Sequence, residues 1–234
     1  MAPVVSNEPL HLRPNAPVAE RALLPGDPGR ALRLAQFLLA APMQVLNTNR
    51  GLWGYSGSAA DGRALTIQST GMGGPSAAIV AEELIGLGAR RLVRVGTCGA
   101  LDDSLALGDL LVADAALCED GASRALGADG RAEPDPSLRA ALAAGGARTG
   151  LVVSTDLFYD PDESRAARWA RAGAVAVEME AAALFTVASR RGAAAACLLA
   201  VTDLLAGGGR ERIGDAALAT AELALGESAL AALS

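Results

Sequence analysis

Short apolar runs that end in glycine- or proline-bearing turns, each followed by a stretch of helical period, recur along the chain. This alternation confines it to an α/β fold built on a central sheet. Arg21 to Leu24 predicts a brief strand closed by Pro25-Gly26-Asp27-Pro28, a turn whose last residues open a helix running through Leu39. Leu52 to Ser58 and Ala64 to Thr70 read as paired strands around Asp61-Gly62. The break Gly71-Met72-Gly73-Gly74-Pro75-Ser76 leads into a helix marked by Ile79, Glu83, Leu84 and Leu87. Leu92 to Val95 predicts a short buried strand that stops at Gly96-Thr97-Cys98-Gly99. Leu110 to Ala115 and Gly150 to Ser154 predict further strands, joined by an irregular surface connection from Glu119 to Pro136. Ala174 to Val177 predicts a strand feeding directly into a helix from Glu178 to Arg190. Ala194 to Val201 predicts the last core strand, and Ile213 to Leu233 a closing helix. No internal repeat or interdomain linker interrupts the pattern, so residues 1–234 are expected to form a single domain. Hydrophobic residues make up 51% of the chain but aromatics only 3%, so its core must be assembled from small and aliphatic side chains.

What is missing narrows the chemistry. All 20 basic residues are arginine, which excludes Schiff-base enzymes and phosphate-loop ATPases that depend on a lysine. His11 is the single histidine, so Ser-His-Asp catalysis could run only through it and a His-rich metal site cannot be built. Cys98, Cys118 and Cys197 are far apart and flanked by apolar residues, as expected of reduced thiols in a cytosolic protein. A formal net charge of -6 argues against a nucleic-acid or membrane-surface role, since phosphate binding on that scale needs a basic face. Met1 to Pro14 has neither a basic start nor an apolar stretch, so no signal peptide is expected. Arg190, Arg191 and Asp203 interrupt the richest apolar region before it reaches the ~18 residues of a membrane span. A soluble, intracellular protein is expected, working with carboxylates, backbone amides and arginine.

In sheets of this kind ligands gather at the carboxyl ends of strands. The residues there are Gly26-Asp27-Pro28 with Arg30, Gly71-Met72-Gly73, Arg94 with Thr97, Phe158-Tyr159, Glu178-Met179-Glu180, and Asp203. Arginines and small-residue loops beside carboxylates suit an anion next to a polar neutral group. Each residue also has a plainer reading. Gly26 and Pro28 can be a tight turn, and Gly71 to Gly74 lacks the full dinucleotide spacing. Arg94, at the end of an apolar strand, needs an anionic partner from protein or ligand. Glu178 and Glu180 can simply favour the positive end of a helix. Asp203 follows Leu198 to Val201 and precedes Leu204 and Leu205; such a flank partly desolvates an acid, the setting of a general acid or of a buried helix cap.

The order of these motifs is more informative than any one of them. Leu23-Leu24-Pro25-Gly26-Asp27-Pro28-Gly29-Arg30, Asn49-Arg50-Gly51, Thr70-Gly71-Met72-Gly73-Gly74-Pro75-Ser76 and Arg94-Val95-Gly96-Thr97-Cys98-Gly99-Ala100 closely resemble the hexameric nucleoside phosphorylases. The resemblance continues through Thr155-Asp156-Leu157-Phe158-Tyr159, Val177-Glu178-Met179-Glu180-Ala181-Ala182 and Val201-Thr202-Asp203. It implies an α/β domain of three layers, with a central mixed β-sheet flanked by helices, in a cytoplasmic homohexamer. It also implies reversible phosphorolysis of a nucleoside with inorganic phosphate as co-substrate, and no cofactor or metal. By this resemblance Gly26, Arg30, Arg94 and Thr97 hold phosphate, and Arg50 reaches into the neighbouring subunit's site as a further phosphate ligand. His11 would cross the dimer interface to the ribose 5'-hydroxyl, while Met72, Met179 and Glu180 hold the ribose. Phe158, Val177 and Glu178 would line the base pocket, and Asp203 would protonate purine N7.

The uridine-specific branch is expected to carry a glutamine and an arginine shortly after its Phe-Tyr pair. Here Asp160-Pro161-Asp162-Glu163-Ser164 follows instead, and Asp203 stands where that branch lacks an acid, so a purine is expected. The purine branch has an arginine downstream of its acid; in this chain the connection Leu204-Leu205-Ala206-Gly207-Gly208-Gly209 is shortened, and either Arg210 or Arg212 could assist, with the glycines forming either a loop that closes over the base or a plain linker. Alternatives on the same scaffold are a uridine phosphorylase, a nucleosidase using water, and a non-catalytic nucleoside-binding protein.

Overall fold

The computed structural model describes residues 9–162, 164–205 and 211–234. Its strands are β1 (Arg21–Leu24), β2 (Gln44–Asn47), β3 (Gly54–Ser58), β4 (Ala64–Gln68), β5 (Arg91–Ala100), β6 (Leu110–Glu119), β7 (Arg131–Ala132), β8 (Arg148–Thr155), β9 (Ala174–Glu178), β10 (Ala194–Leu204) and β11 (Glu211–Arg212). Its α-helices are α1 (Pro28–Leu38), α2 (Gly74–Gly86), α3 (Gly121–Ala125), α4 (Pro136–Ala144), α5 (Ser164–Arg171), α6 (Ala181–Arg191) and α7 (Asp215–Leu233).

One mixed sheet joins all the described strands. Strands β2, β3 and β4 form an antiparallel arm, which β1 and β5 extend in parallel. Beyond β5 the sheet curls. β10 pairs with β5 in parallel and with β6 antiparallel, β6 runs parallel to β8 and β8 to β9, and β9 returns antiparallel to β5. These five strands therefore close a ring, and β5 can serve both ring and arm because it is long, its start pairing with β1 and its end with β9.

Glycine explains why β5 outruns its expected end at Val95. A side-chain carbon on Gly96 would lie 2.7 Å from Arg94 Cζ, and one on Gly99 would lie 2.7 Å from Leu205 Cδ1. The glycines let neighbouring side chains fold across the strand without ending it. One face of the sheet is covered by α2 and α6, whose Val80, Leu84 and Phe185 pack with Leu92. The other is covered by α1, α4 and α7 through Leu34, Leu138 and Leu225, which meet Ile67 and Val93. Helix α7 has the length and hydropathy of a membrane span, yet its Leu225, Ala229 and Leu233 are buried in this core.

Several elements depart from expectation for local reasons. β2 has only its last two residues buried, so it carries little apolar pattern. The connection 119–136 contains α3 and β7, and α4 begins at its end, where the Asp135 carboxylate accepts from the N–H groups of Ser137 and Leu138. α5 buries only Trp169. Helix α6 begins at Ala181, because Glu178 completes β9 and its carboxylate accepts from the N–H groups of Glu180 and Ala181.

Candidate active site

At the centre lies Arg94, 5% exposed, projecting from β5 between two buried carboxylates. Its Nε donates to Glu178 Oε2 at 3.0 Å and its Nη2 pairs with Glu180 Oε2. Burial works against the arginine's charge, but the carboxylates of Glu180 and Glu178 outweigh it and hold its pKa above that of an ordinary arginine. Glu178 is pushed the other way from a normal glutamate: burial raises its pKa, Arg94 opposes, and Glu180 raises it further. Ser154 on β8 donates its hydroxyl to Glu178, and Gly73 N–H donates to Glu180 Oε1 at 2.6 Å. The Gly71-Met72-Gly73 turn can approach because both glycines adopt positive φ, 72° and 85°.

One guanidinium atom is left over. Arg94 Nη1 is buried and has no hydrogen-bond partner among the described residues. A side-chain carbon on Gly26 would come within 4.0 Å of it and 3.1 Å of Gly71 O, so the bare Gly26 backbone keeps a narrow opening beside an unsatisfied cationic donor. A buried N–H without an acceptor is costly, and an anion entering past Gly26 would satisfy it. Arg30 reaches the same strand from α1, directing Nη1 to Val95 O at 3.4 Å, while its Nε is held 2.8 Å from Glu222 Oε1 on α7. Glu222 is itself 2% exposed and is shared with Arg33. Thr97 is half-buried further along β5, an odd number of residues from Arg94, so strand alternation sends it to the opposite face with Val93 and Val95.

Gly96→Ala tests this packing. The added methyl meets a guanidinium that Glu178 and Glu180 hold on both sides and that cannot swing away. The substitution is expected to cost about 1–3 kcal/mol of stability and to weaken phosphate binding, measured by urea unfolding and by phosphate titration.

Asp203 marks the other end. It sits at a register shift in β10, where Val201 pairs with Cys98 but Asp203 pairs with Gly99, and such bulges re-aim a side chain. It is 6% exposed and accepts from Thr202 Oγ1 at 2.9 Å. Across the antiparallel pair Arg212 stands directly opposite it, solvent-exposed. Arg210 and the Gly207 to Gly209 loop lie outside the described residues. Gly99 also pairs with Val177, so Asp203 and the half-buried Val177 flank one glycine on the ring's inner course. Gly99 lies five positions beyond Arg94 on β5, about 16 Å of backbone. The Arg94 guanidinium, however, folds forward over Gly96, so the anion position lies only three strand residues, about 10 Å, from the glycine that pairs with Asp203.

The remaining expected residues are distributed unevenly. Glu178 does not present its carboxylate to an open base pocket: its side chain is fully enclosed and is spent on Arg94, Ser154 and the start of α6. Met179 is half-buried beside it, whereas Met72 is exposed. Phe158 packs edge-to-face with Tyr159 at 5.1 Å, both rings exposed. Arg50 is exposed in the turn Asn49–Gly51 with a left-handed φ of 59°, and makes no hydrogen bond or ion pair among the described residues. His11 is anchored away from this group, its Nδ1 2.7 Å from Glu83 Oε1 on α2. Sequence reasoning missed Ser154, Gly96, Glu222 and Glu83, whose partners lie 24 or more residues away and leave no local pattern, Gly96 excepted, whose glycine reads as a strand end.

Arg94, Arg30 and Arg33 are matched by Glu178, Glu180, Glu222 and Asp27, so this cluster carries no surplus positive charge even with Glu178 pushed toward its neutral form. A dianion held here needs a further cation.

The phosphorylase superfamily model matches residues 20–233. A DeoD-type purine nucleoside phosphorylase from Alkaliphilus metalliredigens is 38% identical over 202 residues, covering 82% of this chain and 86% of that protein. A guanosine phosphorylase from Halorubrum lacusprofundi is 35% identical, with 88% of each chain covered. Among solved structures, the uridine phosphorylase of Vibrio fischeri superposes with a TM-score of 0.81 at 28% identity over 92% of each chain.

Proposed function

The chain belongs to the phosphorylase superfamily, and on that premise we propose that it is a purine nucleoside phosphorylase, a pentosyltransferase that converts a purine (deoxy)ribonucleoside and inorganic phosphate into free base and (deoxy)ribose 1-phosphate. The observation that carries this reading is the buried, unpaired Arg94 Nη1 facing Gly26 at one end of a site that has the buried Asp203 at the other. Phosphate is its own nucleophile, so the protein supplies orientation rather than a covalent intermediate. Gly26, Arg30 and Arg94 position it, and Arg50 of a neighbouring subunit supplies the missing cation. As the glycosidic bond breaks, positive charge grows on the sugar and negative charge on the base. Glu180, already fixed by Gly73 and Arg94, accepts the ribose hydroxyls near the positive centre. Asp203 donates a proton to the leaving purine, assisted by Arg212 or Arg210. No cofactor or metal takes part; the working enzyme is a cytoplasmic homo-oligomer, a hexamer by its family pattern, with no nucleic-acid or membrane partner.

Purine is favoured over uridine by the relatives at 34–39% identity that are named DeoD-type purine nucleoside phosphorylases. The segment after Phe158-Tyr159 agrees with this. Asp162 there accepts from Ser164 and Arg168 to open α5, and as an acceptor-only carboxylate it could not hydrogen-bond a pyrimidine carbonyl.

Inosine, adenosine, guanosine and uridine incubated with and without phosphate decide the matter by release of free base. Purine release that requires phosphate is expected. Release without phosphate would identify a nucleosidase, preference for uridine would reverse the base assignment, and tight binding without release would indicate a silent binding protein.

A further inference from the structure

The N-terminal segment wraps a single carboxylate. Glu83 on α2 is 13% exposed at its side chain. Its Oε1 accepts from Leu10 N–H at 3.0 Å, His11 N–H at 3.0 Å and His11 Nδ1 at 2.7 Å, and its Oε2 accepts from Leu12 N–H at 2.7 Å. On its other side the His11 carbonyl accepts from Asn49 Nδ2 at 2.8 Å, in the same turn that presents Arg50. Leu12, 1% exposed, pins the segment in the core. Both backbone groups of His11 and one of its ring nitrogens are therefore committed.

An ionised carboxylate can only accept. Burial works against the Glu83 charge, but the bonds from Leu12 and His11 outweigh it and keep the carboxyl below the usual glutamate range. Nδ1 must then carry a hydrogen, and in the neutral ring Nε2 is left with a lone pair. A free imidazole in water favours the opposite tautomer, with its hydrogen on Nε2, so the clamp selects against the default.

We propose that Glu83 is a positioning residue that locks His11 in the Nδ1–H tautomer, so that Nε2 acts as a hydrogen-bond acceptor for a hydroxyl donor. Resting on the functional reading above, that donor is the 5'-hydroxyl of the nucleoside in the neighbouring subunit's site. The consequence is a specificity filter: a sugar without a donor at that carbon loses the bond, and the site is left with an unpaired acceptor.

Because His11 is the sole histidine, ¹⁵N-histidine labelling gives the spectrum of one imidazole. In wild-type protein at a pH where the ring is neutral, a pyrrole-like Nδ1 and a pyridine-like Nε2 are expected. A hydrogen on Nε2 would overturn the proposal, and this measurement needs no variant. Glu83→Gln is expected to shift the ring toward the Nε2–H form. It should also lower kcat/KM roughly tenfold for inosine, with kcat/KM for 5'-deoxyinosine and KM for phosphate unchanged. Equal losses on the two nucleosides would mean a purely structural role and would sink the idea, as would no loss on either. Failure of wild-type protein to phosphorolyse inosine or guanosine would instead remove the functional reading, and the sugar contact with it, a result separable from a wrong tautomer.

Discussion

Asp203→Asn is expected to lower kcat for purine ribonucleosides by about 10²- to 10⁴-fold, the range of a positioned general acid, while leaving the KM for phosphate unchanged. Asparagine keeps the size of the side chain and can still accept from Thr202 Oγ1, so the bulge in β10 should survive. What it lacks is a proton to give. Phosphate affinity should hold because the Arg94 guanidinium is fixed by Glu178 and Glu180 over Gly96, about 10 Å along β5 from the residue that pairs with Asp203. A substrate with a pre-activated leaving group separates chemistry from structure. 7-Methylguanosine already carries positive charge on its imidazole ring and needs no protonation at N7, so the variant should cleave it at a rate close to wild type. Equal losses on guanosine and 7-methylguanosine would mean that Asp203 supports the fold of the site rather than the proton transfer.

The strand ends that define this site were readable because each has a local signature. Pro25-Gly26-Asp27-Pro28 is a turn wherever it occurs, and Asp27 indeed caps α1 by accepting from Arg30 N–H. The Gly71 to Gly74 break is equally local, since positive φ demands glycine. Gly96 and Gly99 misled for the same reason. A glycine pair that reads as a strand end is, in three dimensions, the place where Arg94 and Leu205 cross the strand. Closure of the ring through β10 was not legible, because one strand pairing with two partners in opposite senses leaves no periodic trace. The supporting shell was hidden more deeply. Glu222 meets Arg30 across 192 residues, and in sequence it is one more acid on a helix that reads as apolar. The chemistry of the site was thus written in short motifs, and the orientation of its arginines in long-range carboxylate contacts.

Arg94→Met should reduce phosphate affinity and stability together, which sets it apart from loss of a surface ligand. In the wild-type protein one guanidinium satisfies two carboxylates that have almost no access to water. Taking away one partner of a buried ion pair typically costs about 3–5 kcal/mol, because the charge left behind is neither solvated nor paired. Ser154 and the N–H groups of Gly73, Glu180 and Ala181 remain, so the carboxylates keep some bonds but lose their counter-charge. The cheapest response of Glu178 is to take up a proton, raising its folded-state pKa further in the direction it already leans. A carboxyl whose folded pKa exceeds its unfolded value binds more protons when folded, so stability declines as pH rises from the ordinary glutamate range toward the raised value. The variant's deficit relative to wild type, measured by urea unfolding, should therefore be small near pH 4 and grow toward pH 8. Adding Glu178→Gln should recover part of it without restoring phosphate binding, because an amide can still accept from α6 but cannot replace Arg94 Nη1. A deficit independent of pH would show that Glu178 is not the group whose charge the variant strands. Recovery of phosphate binding in the double variant would move the anion away from Arg94 altogether.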